Sequence, residues 1–329
     1  MLRIIYMGTP QFAVPALEAL VQHSAPGKLL PEGYEIATVI TRPDKPAGRG
    51  RGILFSPVKQ AALAHHLPVW QPGSFKKAAN REELAAYKAD LYIVAAFGQI
   101  LPQAVLDQPR YGTLNIHASL LPKYRGADPI AESILQGDTE TGVSIMLLDA
   151  GIDTGPVLLR RSIPIAEDDT TGTLTGKLAE LGAKALLEAL PRWIAGEIQP
   201  EPQDEERASH TRMLQKEDGL IDWTKPAGVI ARQVRAYSPW PGTYTYWRGK
   251  LLKIHAAKAV ALEPAKPVPP GTVAVREEAG HVYMGVVTGS SYLLIKQLQL
   301  EGKKAMSTEE FLRGYRQIVG EVLGAPSQA

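Results

Sequence analysis

Three polar side chains in this 329-residue chain have the types and spacing to handle a proton and a developing negative charge: Asn115, His117 and Asp153. Asn115 and His117 lie two apart in the run Thr113-Leu114-Asn115-Ile116-His117. Side chains along a β-strand repeat every two residues, so this amide and imidazole face the same side near a strand end. The amide can donate to an oxyanion, and the imidazole can donate or shuttle a proton. Taken alone, an Asn-x-His pair is equally well explained by a half-buried amide beside a satisfied core histidine. Asp153 sits among two glycines and a proline in the turn Asp149-Ala150-Gly151-Ile152-Asp153-Thr154-Gly155-Pro156. A carboxylate on such a turn often bonds only its own backbone. With Asn115 and His117 as partners it would complete a proton-handling, oxyanion-binding set.

These side chains need a scaffold, and the apolar pattern supplies one. Residues 2–7 are nearly continuously apolar, as in a buried parallel strand. Gly8-Thr9-Pro10 then turns into a helical stripe of Phe12, Val14, Leu17 and Leu20. Residues 34–40 and 91–96 read as further strands, with helices at 56–67 and 82–87 and a short strand at 68–70. The βαβαβ order predicts an α/β, Rossmann-like, doubly wound parallel sheet. A G-x-G-x-x-G fingerprint is missing, which disfavours a nucleotide cofactor. Ligands in such sheets sit beyond the carboxyl ends of the strands. Two segments leave that way: Phe97-Gly98-Gln99-Ile100-Leu101, and the stretch from Asn115 through Ser119-Leu120-Leu121-Pro122. They could wall a pocket for a flat heteroaromatic ligand or equally tuck into the core. A helix at 130–136, strands at 143–148 and 157–160, and a helix at 171–190 complete a first domain at 1–194.

Residues 41–52 form a long loop rich in Gly and Pro, with cations at Arg42, Lys45, Arg49 and Arg51. Such a loop suits contact with phosphates. Residues 195–209 are acidic and contain Pro200 and Pro202, the composition of a linker. In 210–329 a helix at 229–237 precedes short β runs at 243–246, 251–256, 272–275, 281–287 and 292–298, with an amphipathic helix at 307–319. That pattern predicts a small OB-like β-barrel. Lys303 and Lys304 could join its basic face or be ordinary solvated charges.

The composition, 45% apolar and 21% charged, is that of a soluble globular protein. No cysteine is present, which excludes thiolate chemistry and suits a reducing cytoplasm. No apolar run approaches the ~18 residues of a membrane helix, and the start lacks a cleavable signal's layout. From Arg207 onward there are 17 Lys/Arg and 10 Asp/Glu, an excess of seven positive charges, whereas the preceding part has five excess acids. A basic C-terminal half suggests a polyanionic partner, although solvated surface would give the same count.

Across its length the chain resembles the folate-dependent formyltransferases, and within them the methionyl-tRNA formyltransferases. The resemblance rests on MGTPQFAVPAL, RPDKPAGRGRG, SPVKQAA, AAFGQILP, NIHASLLPKYRGADPI, GVSIMLLDAGIDTGP, GLIDW, SPWPGTYT and GKKAMS. It implies a catalytic trio at Asn115, His117 and Asp153. It implies a folate site at Phe97, Gly98, Ile100, Leu101, Ser119, Leu120, Leu121 and Pro122. It places tRNA contacts on Arg42, Lys45, Arg49 and Arg51; Lys45 stands where relatives often have Arg, keeping the charge but losing the planar fork. The implied reaction moves a formyl group from 10-formyltetrahydrofolate to the α-amine of initiator methionyl-tRNA. No Cys/His ligand spacing is present, so no metal is expected, and a monomer that does not meet a membrane is expected. Direct attack by the neutral amine is expected, with Asn115 and His117 stabilising the oxyanion and Asp153 orienting His117.

Overall fold

The computed structural model describes residues 1–47, 52–262, 267–278 and 280–324. The first elements are β1 (Leu2–Gly8), α1 (Val14–Gln22), β2 (Tyr34–Ile40), β3 (Lys45–Ala47), β4 (Gly52–Leu54), α2 (Pro57–Ala64), β5 (Val69–Trp70) and α3 (Ala78–Ala86). They are followed by β6 (Leu91–Ala95), α4 (Gln103–Leu106), β7 (Thr113–His117), β8 (Arg125–Gly126), α5 (Pro129–Gln136), β9 (Glu140–Leu147), β10 (Val157–Pro164) and α6 (Thr171–Ile194). The chain continues through β11 (His210–Thr211), α7 (Ala227–Ala236), β12 (Thr243–Trp247), β13 (Lys250–Val260), β14 (Val273–Glu278), β15 (His281–Val287), β16 (Tyr292–Leu300), β17 (Met306–Ser307) and α8 (Thr308–Gly314). Two compact units result, and they do not follow chain order. The first comprises Met1–Pro129, Glu140–Pro164 and Thr175–Thr211; the second comprises Ile130–Thr139, Ile165–Leu174 and the chain from Arg212 onward.

The first unit is built on a seven-stranded sheet of order β10-β9-β7-β6-β1-β2-β5. Five strands, β7 to β5 in that order, are mutually parallel. Their runs of apolar residues bury both faces, as parallel sheets require. Strands β9 and β10 are antiparallel, so the sheet is mixed rather than wholly parallel. The turn between β9 and β10 is too short for the crossover that a parallel pair needs, and the chain must double back. Helix α6 covers one face of β7 at Gly182, where a Cβ would lie 2.7 Å from Ile116 Cγ2. Because side chains alternate, Asn115 and His117 point to the opposite face from Ile116.

Two expectations need revision. The segment 195–209, predicted as a linker, is woven into the first unit. Val157 and Glu201 exchange both backbone hydrogen bonds, at 2.8 and 2.9 Å, and β11 pairs in parallel with β8. Its polar side chains bond to neighbouring loops instead of to solvent alone. The basic segment 41–52, predicted as one loop, has an antiparallel ribbon at its root, with Lys45 opposite Leu54 and Ala47 opposite Gly52. Arg49 and Arg51 lie outside the described residues.

The second unit holds an antiparallel sheet of order β12-β13-β16-β15-β14, with β17 paired to β16. The chain end joins its edges: Val322 bridges to Thr272 beside β14, and Gly324 bridges to Tyr246 in β12. The sheet thereby closes, as the OB-like expectation requires. Trp223, Ile230, Val234, Trp247, Leu252 and Phe311 fill the interior. Helix α8 begins in a capping box, in which Ser307 Oγ accepts from Glu310 N (3.2 Å) and Glu310 Oε2 accepts from Ser307 N (2.9 Å). It stops at Gly314, short of the predicted 319, and a single 3-10 turn at Arg316–Ile318 follows. No helix among the described residues is long and apolar enough to cross a membrane.

Candidate active site

The carboxyl end of β7 carries Asn115 and His117 into a buried polar cluster, 8% and 6% exposed. The antiparallel step from β9 to β10 brings Asp153 to the same place. Asn115 Nδ2 donates to Asp153 Oδ1 at 3.4 Å, and His117 Nδ1 lies 3.5 Å from Asp153 Oδ2. Residues 38 positions apart are thus brought together, as the sequence suggested. Asn115 has two amide N–H groups and spends one of them on Asp153.

The histidine's tautomer follows from its other partner. Nε2 lies 2.9 Å from the carbonyl of Tyr124, which can only accept, so Nε2 carries the proton. The lone pair of a neutral ring is then on Nδ1, facing the carboxylate.

Asp153 is held from several directions. Its Oδ2 accepts from the Gly126 N–H at 2.9 Å. Its backbone is left-handed, φ 53°, a region that Asp tolerates better than most side chains. Asp149 Oδ1 braces the turn, accepting from Gly151 N at 3.1 Å and Thr154 Oγ1 at 2.7 Å. Gly126, with φ 101°, must be glycine for space as well: a Cβ would sit 2.7 Å from Thr211 O.

The residues expected to bind folate divide into two groups. Phe97 and Leu101 bury their side chains in a core with Phe75, so they offer a ligand only backbone. Leu121 packs against Met146 and Val157, and the Ser119 hydroxyl donates to Lys123 O at 2.6 Å. Gly98 and Ile100 are exposed, Ile100 by 83%, while Leu120 and Pro122 are partly so. Ala96 and Gly98 are left-handed, so the exit from β6 bends sharply. Thr9 ties the strand exits together: its hydroxyl donates to Phe97 O at 3.0 Å and accepts from Arg42 N at 3.4 Å.

Arg42 is exposed and lies over Gly98, where a Cβ would be 3.4 Å from Arg42 Cδ. A buttress holds the root of the basic ribbon. Gln71 Nε2 donates to Arg42 O (2.7 Å) and to Asp44 Oδ1 (2.9 Å), and Lys59 pairs with Asp44. The bonds from Lys59 and Gln71 hold the Asp44 carboxyl below the usual carboxylate range. In the second unit, Lys303 and Lys304 are exposed on the turn after β16.

Sequence reasoning missed Thr9, Tyr124, Arg125, Gly126 and Gln203. Tyr124 and Gly126 act through their own backbone, and Thr9 and Gln203 bind the backbone of their partners, for which composition gives no signal. Arg125 carried one: a cation flanked by Tyr124 and Gly126 in a loop is 1% exposed here. Its guanidinium makes a bidentate pair with Glu205 at 2.9 and 2.7 Å. That pairing, reinforced by Asp149 and Asp153, raises its pKa.

Comparison with known proteins fits this geometry. Residues 2–190 match the model of the formyl transferase family, and residues 213–316 match its C-terminal domain. A methionyl-tRNA formyltransferase of a Roseiflexus species is 45% identical, covering 99% of this chain and 96% of the relative. Another, from Chloroflexus aurantiacus, is 48% identical over 95% of this chain and 97% of its own. This chain belongs to the methionyl-tRNA formyltransferase family. Among solved structures, an N-formyltransferase from Helicobacter canadensis in complex with folinic acid and dTDP-3-aminofucose superposes with a TM-score of 0.64. It is 20% identical, covering 90% of this chain and 98% of its own, and at that distance it speaks for the fold. As a family member the chain is a formyl-transferring enzyme, and the polar cluster is its candidate centre.

Proposed function

We propose that this enzyme transfers the formyl group of 10-formyltetrahydrofolate to the α-amine of initiator methionyl-tRNA, with Asn115, His117 and Asp153 at the reacting atoms. The observation that carries the reading is the meeting of an amide donor, a tautomer-fixed imidazole and a carboxylate where β7 ends. A flat ring system fits the neighbouring loop, which offers the backbone of Gly98 and the exposed Ile100 side chain, with the Arg42 side chain lying over Gly98. Bound folate supplies the formyl carbon as the electrophile.

The chain's own residues handle charge and proton. Nδ1 of neutral His117 faces Oδ2 of Asp153 at 3.5 Å, so a proton taken up on Nδ1 is stabilised by the carboxylate. The pair receives the proton that the α-amine loses as it attacks and passes it to the donor nitrogen as that nitrogen's bond to the formyl carbon breaks, so that tetrahydrofolate leaves neutral and the pair is restored. Protonated, His117 is held between Tyr124 O and Asp153. The second N–H of Asn115 addresses the negative charge growing on the formyl oxygen. The free amine titrates at about 7.7–8.0, so its neutral form is accessible near pH 7. Attack is direct: the Ser119 and Ser144 hydroxyls both donate to carbonyls and are not poised as nucleophiles. Arg42, Lys45, Arg49 and Arg51, with Lys303 and Lys304, would meet tRNA phosphates.

The test is acceptor choice. The enzyme is incubated with 10-formyltetrahydrofolate and either initiator methionyl-tRNA or a dTDP-amino sugar, and formylated product is measured. Formylation of the methionyl-tRNA alone is expected. Turnover with only the sugar would keep the cluster and overturn the acceptor, and formate release with neither would make the enzyme a hydrolase.

A further inference from the structure

We infer that Gln203 and Arg125 are positioning residues that hold the Asp153 carboxylate in register with His117 and Asn115. This rests on the catalytic reading of Asp153 given above. The carboxylate's place depends on two pieces of backbone, its own turn and the Gly126 N–H that it accepts. A left-handed non-glycine residue is strained and persists only when its surroundings over-determine it. Gln203 supplies much of that determination. Its Nε2 donates to Asp153 O and to Gly155 O, both at 2.7 Å, so both of its N–H groups are spent on the turn. Its Oε1 accepts from Arg125 Nε at 3.0 Å. One carboxamide therefore spans the catalytic turn and β8, the strand that contributes Gly126.

The same stretch of chain fixes the remaining partners. Arg125 N donates to Ser209 O at 2.8 Å, and Ser209 Oγ accepts from Tyr124 N at 2.9 Å. Tyr124 in turn presents the carbonyl that sets the His117 tautomer. The single O–H of Thr211 is shared between Arg125 O, at 3.2 Å, and Ala127 O. The turn of Asp153, the N–H of Gly126 and the ring of His117 are thus all referenced to residues 203–211. Arg125 is buried and its charge is satisfied by Glu205 and Gln203, so it acts as a rigid post between them.

Gln203→Ala removes the bridge. Gln203→Glu is nearly the same size and still accepts from Arg125, but cannot donate to the two carbonyls. Both variants and Asp153→Asn are assayed for formyl transfer, with KM for each substrate, the pH profile of kcat and the thermal midpoint. Displacement of the carboxylate by up to an ångström lowers kcat by ~10–100-fold while both KM values stay near wild type. The pH profile of kcat changes shape in both variants, which a merely structural role would not bring about. If Gln203→Ala does not fold, Gln203→Glu decides. Wild-type kcat in a folded Gln203 variant, or a loss confined to KM, overturns the inference when Asp153→Asn is inactive. An active Asp153→Asn would instead overturn the catalytic reading of Asp153.

Discussion

Gly155 and Gly151 flank Asp153 and allow one calculation to be tested twice. A Cβ on Gly155 would lie 1.9 Å from the backbone oxygen of Leu147, and a Cβ on Gly151 would lie 1.9 Å from Thr154 Oγ1. The two overlaps are equal, but the obstacles differ. The Leu147 carbonyl belongs to β9 and cannot swing away, whereas a threonine side chain can rotate. Real contacts stop near 3 Å, so Gly155→Ala must push the turn by about 1 Å, straining the Gln203 bond to Gly155 O and moving Asp153. Misplacement on that scale costs ~10²-fold in rate, and overpacking costs ~1–3 kcal/mol of stability. Gly151→Ala needs a new rotamer at Thr154, a shift of a few tenths of an ångström to relieve the 3.0 Å approach to Thr154 Cβ, and the loss of the threonine's 2.7 Å bond to Asp149, which costs ~0.5–1.5 kcal/mol. Steady-state formylation at saturating substrates, with a thermal melt of each variant, reads both effects. Gly155→Ala is expected to lose most of its kcat and Gly151→Ala only a few-fold. Equal losses, or a Gly155→Ala enzyme with more than half its kcat, would refute the steric reasoning.

Other perturbations address separate parts of the molecule. Asn115→Ala is expected to lower kcat by ~10²–10³-fold with tRNA affinity unchanged; an effect on affinity alone would remove Asn115 from the reacting atoms. Arg42→Ala should weaken tRNA binding most at low salt and reduce the slope of log K against log salt by about 1; an unchanged slope would mean that Arg42 meets no phosphate. Glu205 and Asp44 have carboxyls held below the usual range, Glu205 by bonds from Arg125 and Asp44 by bonds from Lys59 and Gln71. A depressed folded value means that the stabilisation is complete above the unfolded value of about 4 and drains as pH falls through the folded one. Glu205→Gln should therefore lose stability less steeply than wild type below about pH 4, by a small margin for so exposed a carboxylate. Parallel acid profiles would rule out that contribution.

Much of this site was legible because it obeys strand periodicity. The apolar run of β1 and the alternation through Asn115 and His117 led directly to buried strands and a shared face. Asp153 could be singled out because a carboxylate among glycines and a proline marks a constrained turn. What could not be read depended on backbone partners or on chain reversal. Residues 195–209 have a linker's composition, yet Gln203, Glu205 and Ser209 use their polarity to bind carbonyls, N–H groups and Arg125. The antiparallel run of β9 and β10 followed from a short turn, which an expectation of repeated βα units passes over. Phe97 and Leu101, read as pocket walls or core, proved to be core side chains whose loop alone reaches the strand ends.

The central claim is that the cluster at the end of β7 carries out formyl transfer to methionyl-tRNA. Its most direct test is a single-turnover reaction with labelled 10-formyltetrahydrofolate, comparing wild type and His117→Ala, with tRNA binding measured on the same samples. Label passing to methionyl-tRNA in wild type, and its loss in a variant that still binds tRNA, is the expected result. Near-normal transfer by His117→Ala would contradict the account.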